Sequence, residues 1–208
     1  MKLTGMSFLR GWLAAVTVYS MMAAVSQATT VIPPDFQQLV SQSDYIVRAV
    51  VKSVSSEMQT DGQNRHIITK VELDVREVIS GTPPQPLVLE MLGGKVGNEE
   101  MVIEGAPKFK VGDEDILFVH GNGQQMNPLV ALMHGRYPIK RDAATGREYV
   151  ARSNGAALYD EKEVALPMSD KAPVQQALKA NVQPLSAADF VSRIRAAANI
   201  PAHPPLQN

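Results

Sequence analysis

The sequence predicts a mainly-β fold, roughly six to eight short strands forming a small barrel or sandwich with an amphipathic helix at the C-terminal end. Three observations carry this. Ile67, Thr69, Val71, Leu73 and Val75 alternate with Ile68, Lys70, Glu72, Asp74 and Arg76; a helix would scatter the apolar set around its circumference, so this is a half-buried strand. Gly and Pro clusters, such as Gly81-Thr82-Pro83-Pro84, Gly93-Gly94 and Gly105-Ala106-Pro107, interrupt the chain at short intervals. Beyond them, Ser186-Ala187-Ala188-Asp189 reads as a helix start ahead of Phe190, Val191 and Ile194, which share one helical face.

The elements follow in order. Thr29 to Pro34 is extended, pinned by Pro33-Pro34. Asp35 is placed to cap a short helix carrying Phe36, Leu39 and Val40. From Asp44 the period becomes two, with Tyr45, Val47, Ala49 and Val51 on one face. After a turn at Asp61-Gly62 comes the strand at 67–75, whose length suits coiling around a barrel. Pro86 to Leu92 is a third strand and Met101 to Glu104 a fourth. Asp115 to His120 is apolar on both faces, as in a central strand, and Leu129 to His134 is the next apolar run. Tyr137 to Lys140 and Glu148 to Ala151 form a hairpin around Asp142 to Gly146. The helix after Ser186 has Asp189 near its start and arginines later, which suits its dipole.

The N-terminus reads as an export signal. Lys2 and Arg10 are basic, no acid precedes Asp35, and an apolar run from Trp12 to Val25 ends on Ser26-Gln27-Ala28. That run is shorter than the roughly 20 residues needed to cross a bilayer. Cleavage is expected between Ala28 and Thr29, leaving no stable membrane anchor. The expected organisation is a removed signal at 1–28, a β-barrel domain at 29–154, an Ala/Pro/Gln-rich connection at 155–185 with a short helix around Val174 to Ala180, a helix at 186–199 and a flexible tail at 200–208.

Loss of the signal removes the one tryptophan, Trp12, and leaves 18 basic against 21 acidic side chains, net −3. A mildly acidic surface excludes a broad electrostatic footprint for nucleic acid. The chain has no cysteine, so an exported fold of this length holds by packing alone. Location is expected to be a bacterial periplasm or the cell exterior.

The runs Ser43 to Val51 and Val75 to Gly81, with Leu92-Gly93-Gly94, Gly105 to Glu114, Met133 to Tyr137 and the helix from Leu185 to Arg195, resemble an uncharacterised family of exported bacterial proteins. More distantly, residues 29–81 are similar to the start of the tissue inhibitors of metalloproteinases. This resemblance implies a small closed barrel of the oligonucleotide/oligosaccharide-binding (OB) type. In those inhibitors a cysteine at the mature N-terminus lays its amino group and carbonyl on the zinc of a protease. Thr29 stands at that place here, so no functional residue carries over.

Chemical motifs are sparse. Gly-x-Ser-x-Gly, His-Glu-x-x-His and a phosphate loop are all missing from the sequence. If 114–120 and 128–134 pair as a hairpin, His120 and His134 lie roughly 20 Å apart and share no metal. His66 falls on a polar strand face and His203 in the tail, so all four histidines read as ordinary surface or strand-end residues. Glu99-Glu100 and Asp113-Glu114-Asp115 read as solvated turn acids. Lys108, Lys110, Arg136, Lys140 and Arg141, with Phe109 and Tyr137, are the residues a nucleic-acid patch would draw on. The expected function is therefore a non-catalytic exported module, without catalytic, cofactor or metal residues, that binds a protein or envelope component, a secreted protease among the options. The alternatives are a hydrolase with an unfamiliar carboxylate or histidine site and a structural envelope protein.

Overall fold

The fold is described from a computed structural model covering residues 32–62, 64–168 and 182–199. The export signal expected at 1–28 with its expected Ala28–Thr29 junction, the short helix expected around Val174 to Ala180, and the tail expected at 200–208 lie outside the described residues. No helix among the described residues is long and apolar enough to cross a membrane.

Helix α1 (Phe36–Ser41) starts where its cap predicts. The Asp35 carboxylate accepts from the Gln38 amide at 2.7 Å, and the Gln38 side chain accepts from the Asp35 amide at 3.0 Å, a reciprocal capping box. Strands β1 (Tyr45–Asp61) and β2 (Asn64–Gly81) then form one long antiparallel hairpin. β3 (Leu87–Leu92) adds to β2, and β6 (Glu114–Val119) returns to lie antiparallel beside β1 over Tyr45 to Val50. β7 (Arg136–Arg141) and β8 (Glu148–Val150) complete an order of β3-β2-β1-β6-β7-β8. Strands one to three with the sixth beside the first make a Greek key. Between β3 and β6, β4 (Gly94–Val96) and β5 (Glu99–Met101) form a separate two-stranded ladder. The fold is thus mainly β with a C-terminal helix. Among the described residues no ladder joins β3 to β8, and the six-stranded sheet is hydrogen-bonded as an open one.

Two strand expectations are corrected. The run expected as a strand at Met101 to Glu104 pairs only up to Met101, since Gly97-Asn98 folds β4 back onto β5 and the chain turns at Ile103 to Ala106. Leu129 to His134 is not a strand. Leu129 bridges Val119 and the Val130 amide reaches Phe118 O at 3.0 Å, but Ala131 and Leu132 then take positive φ (49° and 58°) and turn the chain into a 3₁₀ helix, Leu132–Gly135. β7 therefore takes the place beside β6.

The sheet carries an apolar cluster on each face, because alternate residues point to opposite sides. One cluster collects Val47, Ala49, Val51, Val71, Leu89, Leu117 and their neighbours, closed over by Phe109 and Leu129. The other collects Ile46, Ile116, Phe118 and Tyr137 beneath α1, α2 (Ala187–Ala198) and the segment 158–164. Ser186 caps α2, accepting from the Asp189 amide at 3.1 Å, and Ala187, Phe190, Val191, Ile194 and Ala197 form its buried stripe. Leu158, Val164 and Leu185, from the Ala/Pro/Gln-rich region, are buried in this same core. Phe190 is its hub, with ring centroids 5.1 Å from Tyr137, 5.8 Å from Phe36 and 6.2 Å from Phe118.

The edges of the two outermost strands, β3 and β8, are occupied. The Asn122 side chain accepts from the Glu90 amide at 3.2 Å and donates to Val88 O at 2.7 Å, imitating a strand residue beside β3. At the far edge, the Val150 amide donates to Leu185 O and the Leu158 amide to Val150 O, both at 2.9 Å. Covered edges suppress pairing with other chains. Phe190→Ala would leave a void among three rings and cost about 3–5 kcal/mol, to be measured by urea unfolding of the purified chain.

Candidate functional site

A groove of about 300 Å³ opens where the far half of the β1–β2 hairpin faces the segment 100–109. Val54 and Val71 on the sheet and Val102, Ile103 and Phe109 opposite supply its apolar lining. The face that packs as core nearer the start of β1 becomes partly uncovered here: Val51 is 1% exposed, Val54 37%, and Val102 across the groove 72%, while Val71 stays buried. The floor is a cross-strand hydroxyl pair, Ser56 Oγ and Thr69 Oγ1 at 2.9 Å, with Thr69 donating on to Gly93 O at 2.6 Å. Gly94 rests on this pair at φ 133°, and a Cβ there would stand 2.3 Å from Thr69 Oγ1 and 2.5 Å from Ser56 Oγ. Only glycine admits so close an approach. Lys95, Lys108 and Glu100 bring charge to the groove, and none has an ion-pair partner among the described residues.

The wall at 107–113 is held by Arg136. Its Nε donates to Asp115 Oδ1 at 2.9 Å, and its Nη2 to Asp115 Oδ2 at 3.0 Å and to Asp113 Oδ2 at 2.7 Å. A further N–H donates to Lys108 O, and the guanidinium lies 4.4 Å from the Phe109 ring centroid. Asp115 is fully buried, and burial raises its pKa against the lowering pull of Arg136. This corrects two expectations. Asp115 is not a solvated turn acid, and Arg136 belongs to no basic patch. Phe109 and Tyr137 are buried as well, at 9% and 0% exposed, while Arg141 pairs with Glu148 at 2.9 Å. The parity of β6 already carried the signal, because Asp115 shares a face with Leu117 and Val119.

The other acids are dispersed. Glu114 pairs with Arg48 at 2.6 Å and Glu99 with Arg65 at 3.4 Å, while Glu100 stays at the groove. His120 is exposed and contacts Asp44 at 3.1 Å; the Gly121 amide, 2.7 Å from that carboxylate, is the main cause of its lowered pKa. His66 lies opposite Gln59 on β2. No group of three or more His, Asp or Glu side chains fit to hold a metal occurs among the described residues.

His134 overturns the surface reading of the histidines, being 3% exposed. It sits in the second core with Tyr137 and Arg152; Arg152 is 5% exposed and donates to Leu166 O. Burial, then the Arg152 charge, lower the His134 pKa to about 4, and a hydrogen bond to the Val164 backbone acts the other way. Burial likewise raises the Tyr137 pKa and lowers that of Arg152.

No protein-family model matches the chain, and no curated protein does.

Two measurements check this account. Arg136→Met strands Asp115 and should cost about 3–5 kcal/mol in urea unfolding, most of it recovered in the double variant Arg136→Met/Asp115→Leu. For His134, the unfolded chain takes up a proton near pH 6.5 and the folded chain only near 4. Its contribution to stability is complete above about pH 6.5 and is lost as pH falls toward 4. Asp115, with its raised pKa, contributes with the opposite sign, so the readout is a difference: the stability of wild type relative to His134→Gln should fall by about 3 kcal/mol between pH 7 and pH 4.

Proposed function

We propose that this chain is an exported, non-catalytic binding module whose contact site for a protein of the cell envelope is the groove between the β1–β2 hairpin and segment 100–109. The carrying observation is the partly uncovered continuation of a core face. Val54 and Val102 stand at a concavity whose far wall is anchored by a buried ion pair, so an apolar surface is held open instead of collapsing. Concave apolar sites with a few fixed polar groups are where proteins take up ligands. A hydrolase draws less support: Asp113 and Asp115 do converge, but around Arg136, with Asp115 fully buried.

We further propose that the sheet coils as a partly open OB-type barrel. Three irregularities bend the β1–β2 hairpin, with Lys52 the extra residue in β1 and Arg76 and Ile79 the extra residues in β2. The Greek-key order is the one such barrels use, and the cluster on this face is filled mainly by the sheet's own strands. The export signal ending at Ala28 is the basis for placing the protein in the periplasm or outside the cell.

The test is retention of envelope proteins on the immobilised mature chain. Val102 is exposed, so Val102→Asp should leave the thermal midpoint unchanged and reduce retention at least about tenfold. Retention that is absent in the wild type, or unaltered in the variant, overturns the reading.

A further inference from the structure

β6 pairs with β1 only as far as Val50, and Val51 exchanges bonds with Asp113 O at 2.8 Å and the Gly112 amide at 2.9 Å. Beyond that point β1 runs on to Asp61 with β2 on one side only, and no backbone group among the described residues bonds the outer edge of 53–61. The sheet's other edges are treated differently, one by the Asn122 amide and one by Leu185. This open edge borders the groove, because Val54 and Ser56 belong to both.

We propose that the outer edge of β1 over residues 53–61 takes one extended segment of a partner protein as an added strand, with an alternate apolar side chain entering the groove and an acidic one meeting Lys95 and Lys108. The inference rests on the binding-module reading above and names its mode. A row of free amides and carbonyls is matched only by another extended backbone, and alternate side chains of an added strand reach the same face. The charge at the groove is two lysines against Glu100, which favours an acidic residue in the occupant. A second copy of this chain fits less well: antiparallel pairing of two β1 edges about a two-fold axis sets both grooves on one face, where the lysines of each copy meet their like.

The probe is a fluorescein-labelled nonapeptide of alternating Thr and Val with one central Leu and a Glu two residues on, followed by anisotropy with the mature chain. Two further peptides carry N-methyl groups on the odd or on the even amides. Binding should be weakened about tenfold or more by one methylation pattern and little by the other, since only one row of amides faces β1. Lys108→Glu should weaken the parent peptide about fivefold and leave the thermal midpoint in place. Equal binding of both methylated peptides overturns strand addition. If Val102→Asp still abolishes envelope retention in that case, the groove reading stands alone; if retention is also unaffected, both fail. A wild-type chain that sediments as a dimer and ignores all three peptides assigns the edge to a second copy and overturns the proposal.

Discussion

The buried contact between Arg136 and Asp115 is the constraint on which the groove side of this molecule depends. Two stretches of chain meet there: β7 supplies the guanidinium, while β6 supplies the carboxylate and the run from Lys108 to Asp113 just ahead of it a carbonyl, a second carboxylate and the Phe109 ring. Burying one of these charges alone would be prohibitive. Together they satisfy one another, and the chain must then leave β5 along a path that stands off from the β1–β2 hairpin. The groove is the space left by that path. A Leu or Met in place of Arg136, with Asp115 made apolar as well, would fill the core but would have no reason to hold the Lys108 carbonyl.

β1 plays the corresponding part for the sheet. It is paired on both sides at its start and on one side at its end, and two of its three register shifts against β2 fall within the doubly paired stretch. The same strand therefore contributes to a packed core, to the groove lining and to an open edge. Which role a residue has follows from its distance along β1 more than from its chemistry: Val51 and Val54 are alike, and one is core while the other is surface.

What was legible in the sequence was local. The capping box at Asp35, the Ser186 cap with its apolar stripe, and the long alternation of β2 each depend on residues a few positions apart, and each element stands where its pattern placed it. The hairpin of β4 and β5 has its signal in Gly97-Asn98, and the apolar Val102 and Ile103 that follow it line the groove and belong to no strand. His134 and Asp115 misled for a physical reason. Each looks polar and solvated beside its neighbours, and each is buried among partners 18 to 30 residues away that only the β6–β7 ladder and the chain after β8 bring near. The groove has no local signature, since its walls are brought together by the Greek-key return.

The two apolar clusters are separated by a single layer of backbone, and adjacent residues serve opposite sides: Ile46 and Val47 in β1, Leu117 and Phe118 in β6. Neither cluster keeps its shape once those strands part, because the loss of one face withdraws every second side chain from the other. Melting should therefore be shared between the helix-covered side and the groove side as one all-or-none transition. A chain without disulfides then presents proteases with a folded form or an unfolded one, and few half-open states between them.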